Sequence, residues 1–99
     1  MLFEIFDKTG RKIHLTEELW KHIMYEHTIL SNRLNDLIDT LLNPLIIVSS
    51  SSDSKVRCYY KYYKNIRLNA KYLMVVVKYL NGSGFIITSF YTDKIKNEN

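Results

Sequence analysis

Histidine is the side chain best suited to moving protons near neutral pH, because an unperturbed imidazole titrates close to physiological pH, and this 99-residue chain has three. Two of them follow Thr16 in the stretch RKIHLTEELWKHIMYEHTIL (residues 11–30), which starts like a strand and then reads as a helix. His22 and His27 are five apart, which sets them roughly 140° apart on a 3.6-residue helix. Helical metal ligands use spacings of three or four, so these two do not form a ligand pair. His14, on the preceding strand, adds no ligand spacing. Acid–base work is the chemistry left open, set against the plainer reading of a lone helix histidine as a structural anchor. Trp20, the single tryptophan, reads as a core anchor.

The second group is the basic, aromatic run KVRCYYKYYK (residues 55–64). Strand alternation splits it into Val56, Cys58, Tyr60 and Tyr62 on one face and Arg57, Tyr59, Lys61 and Tyr63 on the other. The first set suits a face covered by helices. The second suits an open face that contacts nucleic acid, with cations for phosphate and rings for stacking bases. The competing reading is a surface kept soluble by lysines, with tyrosines present for β-propensity. In KYLMVVVKYL (71–80), Leu73, Val75, Val77 and Tyr79 form the cleaner core set, which sends Lys78 to the open face. In FIITSFYT (85–92), Ile86, Thr88, Phe90 and Thr92 oppose Phe85, Ile87, Ser89 and Tyr91, and the pattern leaves open which set is inside. Thr88 and Tyr91 should lie on opposite faces unless a bulge intervenes.

Charge points the same way as the second group. Residues 1–54 carry five basic and eight acidic side chains; residues 55–99 carry nine and two. An asymmetry of that kind within one domain suggests a polyanionic partner for the basic half. Length allows one domain, residues 1–99, and the 46% apolar fraction suits a modest core. No apolar run is long enough to span a bilayer. The acidic start MLFEIFDKTG does not read as an export signal. The single Cys58 cannot form an internal disulfide and fits a reducing compartment, so a cytoplasmic location is expected.

The elements that must position these residues follow in order. LFEIF and RKIHL read as a hairpin around the turn DKTG, with Gly10 at positive φ. Thr16 caps a helix that runs to about His27, with Glu17 and Glu18 in its first turn. SNRLNDLIDTLLNP is a second helix, capped by Ser31 or Asn32. Its apolar face is Leu34, Leu37, Ile38, Leu41 and Leu42, and Asn43–Pro44 stops it. PLIIVSS, KVRCYYKYYK, KYLMVVVKYL and FIITSFYT are strands. SSSDS is a loop, NIRLNA and NGSG are turns, and residues 93–99 form a frayed tail. The order ββααββββ predicts an α+β fold: an N-terminal hairpin, two helices, then a four-stranded antiparallel sheet.

The succession GRKIHLTEELWKHI…H, then LLNP, YYKYY, YLMVVVKY and FIITSFYT resembles small phage- and bacteria-borne proteins of the barnase–EndoU–colicin–RelE-like (BECR) nuclease superfamily over residues 7–93. The string Leu15-Thr16…Trp20-x-His22-Ile23…His27 and the closing Ile87-Thr88-x-Phe90-Tyr91-Thr92 carry the likeness. Two positions differ. Leu19 stands where such proteins often have arginine, and His27-Thr28-Ile29 where they often have histidine-proline-glutamate.

The resemblance implies a small metal-independent ribonuclease in which the ribose 2′-hydroxyl attacks the neighbouring phosphate. That reaction needs a base, an acid and cations. On this reading His22 or His27 moves protons, and Lys61, Thr88 and Tyr91 complete the catalytic set. Arg57, Tyr59, Lys78 and Tyr63 bind substrate, and no metal or cofactor is required. The expected partners are RNA, with transfer RNA and ribosome-bound message as candidates, and an antitoxin protein that holds a toxin in check; a membrane is not among them. The alternative is a non-catalytic RNA- or protein-binding module that keeps the nuclease fold, which the missing arginine before Trp20 favours.

Overall fold

The computed structural model describes residues 2–64 and 70–96. Most of the turn expected at NIRLNA and the end of the expected tail lie outside these residues. Two strands, β1 (Phe3–Phe6) and β2 (Lys12–Leu15), form the hairpin, and helices α1 (Glu17–Glu26) and α2 (Leu34–Leu42) follow, joined by a 3-10 helix over Thr28–Asn32. Strands β3 (Ile46–Ser49), β4 (Val56–Tyr62), β5 (Tyr72–Leu80) and β6 (Ser83–Thr92) complete the order.

The sheet corrects one expectation. The hairpin is not a separate unit: all six strands form one mixed sheet in the order β1-β2-β6-β5-β4-β3. The four later strands form the antiparallel meander read from the sequence, and β2 adds to it in parallel, through Lys12–His14 beside Ser83–Phe85. Gly84 makes that junction possible. A Cβ there would come within 2.8 Å of Val77 Cγ1 and 3.3 Å of Ile13 Cγ1. The β5–β6 turn places Asn81 and Gly82 at positive φ, 53° and 82°, the backbone that a two-residue primed hairpin turn requires.

Thr16 caps α1 by accepting from the Leu19 N–H at 3.2 Å. The expected cap of α2 at Ser31 or Asn32 is not used. Those residues belong to the 3-10 helix, where the Ser31 hydroxyl donates to the Thr28 carbonyl at 2.6 Å, and α2 begins after Arg33. Leu37 and Leu41 point into the core as the spacing predicts, whereas Leu42 is exposed and Thr40 is buried, its hydroxyl donating to the Asp36 carbonyl.

Both helices cover one face of the sheet. The core there joins Trp20, Ile23, Leu30, Leu37 and Leu41 to strand residues including Ile13, Leu15, Leu73, Val75, Val77 and Ile86. The register then fixes β4. Arg57 lies beside Val77, Tyr59 beside Val75 and Lys61 beside Leu73, and cross-strand partners share a face. The Arg57–Tyr59–Lys61–Tyr63 set is therefore the helix-side set, and Val56, Cys58, Tyr60 and Tyr62 face away, the reverse of the assignment drawn from alternation. On β6 a register shift opposite Val76/Val77 lets Ile86 and Ser89 both point inward. It lies before Thr88, so Thr88 and Tyr91 keep opposite faces.

Candidate functional site

The helix-free face of the sheet begins at the hairpin. Pairing of Glu4 with His14 and of Phe6 with Lys12 sets those four side chains opposite the buried Ile13 and Leu15. Glu4 reaches both basic neighbours: one carboxylate oxygen is 3.1 Å from His14 Nδ1 and the other 3.4 Å from Lys12 Nζ. A carboxylate at Nδ1 fixes the orientation of an imidazole ring. The His14 ring stacks on Phe85, centroids 5.0 Å apart and planes 22° apart. In register with Phe85, one strand further, is Lys78, which pairs with Asp53 of the β3–β4 loop at 3.2 Å. Beyond Lys78 a pocket lined in part by Ser50, Val56, Cys58, Tyr60 and Met74 opens on the same face. Phe6, Tyr62, Phe85 and Ile87 are exposed large apolar side chains on or beside it.

His27 caps α1, its backbone N–H bonding to the Ile23 carbonyl, and its ring lies 5.5 Å from that of Phe90. Phe90 alternates with the buried Ser89 and so belongs to the helix-free set, as does Thr88. Among the described residues β2 pairs with β6 only as far as Phe85. The two histidines therefore lie against the aromatic residues at the two ends of the edge beyond it, roughly 15 Å apart along the strand. That is too far for both to serve one phosphate. His22 is elsewhere: it points to solvent from α1, 61% exposed, with Nε2 2.8 Å from Glu26.

The remaining candidates lie on the helix side, in two clusters. In the first, Lys61 Nζ is 2.7 Å from Asp39 of α2, and the Tyr63 hydroxyl donates to Asp39 and to the Asp36 carbonyl, each at 3.0 Å. Lys61 holds the Asp39 carboxyl below the usual carboxylate value, and burial chiefly pushes Tyr63 up. The Tyr91 hydroxyl is buried without a hydrogen-bond partner among the described residues. Burial raises its pKa, with the Arg33 guanidinium opposing.

In the second cluster, fully buried Tyr59 donates its hydroxyl to Asp7 Oδ2 and is hydrogen-bonded to the Tyr79 hydroxyl. Asp7 Oδ1 accepts from the Thr9 N–H, the Thr9 hydroxyl and the Arg11 N–H at 2.7–2.9 Å. Burial works to raise the Asp7 pKa, but these donors outweigh it and hold it low. Burial and the Asp7 charge keep Tyr59 protonated. Arg57 lies over the Tyr79 ring.

The structure thus divides the sequence candidates. Thr88 and Lys78 share the helix-free face, with His27 at its edge. Lys61, Tyr63, Tyr91, Tyr59 and Arg57 project to the helix side, and His22 is apart from both. Sequence reasoning missed Glu4, Lys12 and Phe85 as company for His14. The signal was available, because a hairpin turning at residues 7–10 must pair residue 4 with residue 14.

Comparison with curated proteins and with solved structures returns no match. A family model described as phage-Barnase-EndoU-ColicinE5/D-RelE like nuclease 2 (PBECR2) matches residues 4–99, nearly the whole chain. With two helices on one side of a β-meander and a family model that matches nearly its whole length, the chain belongs to this family of phage Barnase-EndoU-ColicinE5/D-RelE like nucleases.

Proposed function

We propose that the protein is a small metal-independent endoribonuclease that draws single-stranded RNA across the helix-free face of its sheet. One observation carries this reading. That face combines exposed rings, two lysines and a carboxylate-oriented histidine, Glu4–His14 stacked on Phe85 beside Lys12 and Lys78. Rings accept bases of any identity and lysines accept the backbone. An imidazole fixed by a carboxylate can take the 2′-hydroxyl proton as the oxygen attacks phosphorus, and a nearby cation stabilises the charge that develops on the phosphorane oxygens. The bond from phosphorus to the 5′-oxygen breaks and that oxygen takes a proton from water, leaving a 2′,3′-cyclic phosphate and a free 5′-hydroxyl. The sequence expectation of a phage-related toxin with an acidic antitoxin fits the basic C-terminal half.

A second assignment of the proton-transfer group has its own support: His27 falls in the string that resembles the family and lies against Phe90 at the sheet edge. Cleavage of total RNA in EDTA by wild type, His14→Ala and His27→Ala separates the two. The same assay with a folded, RNA-binding but inert protein would establish the non-catalytic module instead.

A further inference from the structure

The guanidiniums of Arg11 and Arg57 lie against one ring, their central carbons 4.9 and 5.6 Å from the Tyr79 centroid. They come from distant parts of the chain, Arg11 from the hairpin turn and Arg57 from β4 beside Val77. Among the described residues neither forms an ion pair with a carboxylate. Asp7 is the obvious counter-charge, yet it is 6% exposed and both its oxygens are already taken, Oδ1 by three donors and Oδ2 by the Tyr59 and Tyr79 hydroxyls. The local sum is two fixed positive charges against one buried negative charge.

The platform is also held in place. The Tyr79 hydroxyl bonds to Tyr59, which is fully buried, and the backbone N–H of Tyr79 donates to the Lys55 carbonyl at 2.8 Å. Arg11 is anchored by its own N–H on Asp7. A guanidinium held over a fixed ring loses less freedom when it binds an oxyanion than one on a free side chain.

We propose that Arg11, Tyr79 and Arg57 form a phosphate clamp, distinct from the helix-free face, that accepts a phosphate group through both guanidiniums. The phosphate could belong to a nucleic-acid backbone or be a free ion. The clamp needs no cleavage activity, so its failure and that of the nuclease reading are separately visible.

The test uses the full chain with two probes, inorganic phosphate and a single-stranded DNA decamer that a 2′-hydroxyl mechanism cannot cleave. Phosphate should shift the Nε–Hε signals of both arginines together in NMR spectra. Arg57→Gln should weaken the Arg11 response about tenfold, Tyr79→Leu should abolish the coupled response and Tyr79→Phe should keep it. If the source is nucleic acid, removing each arginine should lower the slope of log affinity for the decamer against log salt by about 0.7. An unchanged slope with intact phosphate binding would assign the clamp to free phosphate. Arginine signals that ignore both probes would overturn the proposal, as would Gln variants that lower only the melting temperature; the arginines would then serve to neutralise Asp7.

Discussion

Tyrosines and lysines occupy both faces of this sheet, but their polar ends meet different fates. On the helix-covered face, Tyr59 ends on Asp7, Tyr63 on Asp39 and the Asp36 carbonyl, and Lys61 on Asp39. On the helix-free face Tyr62 and Phe85 reach solvent, and Lys78 has a half-exposed loop aspartate. A buried polar group is tolerated once its hydrogen bonds are made, so basic and aromatic character alone does not mark a nucleic-acid surface. What separates these groups is how far the polar ends are withdrawn from solvent: Tyr59 ends on a buried carboxylate, whereas Lys12 and Lys78 are also paired but at partly exposed positions.

The largest effect that would sharpen this contrast is expected at Asp7. Asp7→Ala strips the acceptor from two tyrosine hydroxyls and three turn donors and should cost about 3 kcal/mol or more in urea unfolding. A loss under about 1 kcal/mol would show that the cluster is not structural. Gly84→Ala tests the junction of the hairpin with the meander. Its methyl would meet Val77 and Tyr79, for an expected loss of about 1–3 kcal/mol.

On the other face Phe85→Ala should spare the fold and weaken RNA binding. A lost base-stacking partner is worth about 1–3 kcal/mol of affinity, readable by fluorescence anisotropy; unchanged affinity would remove Phe85 from the RNA surface. Acid provides a milder probe of the covered face. Because the folded Asp7 pKa is lowered, its stabilisation is complete above the ordinary value of 3.8 and is lost as pH falls through the lowered native one. Asp7→Asn should flatten that acid limb of the stability curve. The smallest effect belongs to His22→Ala. Its exposed pair with Glu26 is an i,i+4 contact, worth about 0.3–0.5 kcal/mol when charged, and RNA cleavage should be unchanged.

Much of the fold was readable in the sequence because it is locally encoded. The hairpin turn at Gly10, the Thr16 cap, the Leu37/Leu41 stripe and the Asn81–Gly82 turn each rest on contacts a few residues long. The parallel join of β2 to β6 spans some seventy residues, and no short pattern signals it. The face of β4 was misread for a related reason. Both of its alternating sets are amphipathic, and only the pairing of Tyr59 with Val75 and Arg57 with Val77 decides between them. Reading Val75 and Val77 as core already implied that Arg57 and Tyr59 lay beside them, but only once the register was known. The Glu4–His14 pair was within reach of the hairpin reading. The contact of His27 with Phe90 was not, because it depends on how α1 sits against β6.

Cleavage of total RNA in EDTA, with wild type run beside His14→Ala, His27→Ala and Lys61→Ala, tests most directly whether chemistry resides on the helix-free face. The account predicts cyclic-phosphate ends from wild type, a fall of about a hundredfold or more in His14→Ala, and a rate within a few-fold of wild type for Lys61→Ala, whose amine is engaged by Asp39. Loss of cleavage in a folded Lys61→Ala protein, with both histidine variants still active, would contradict it and move the active site beneath the helices.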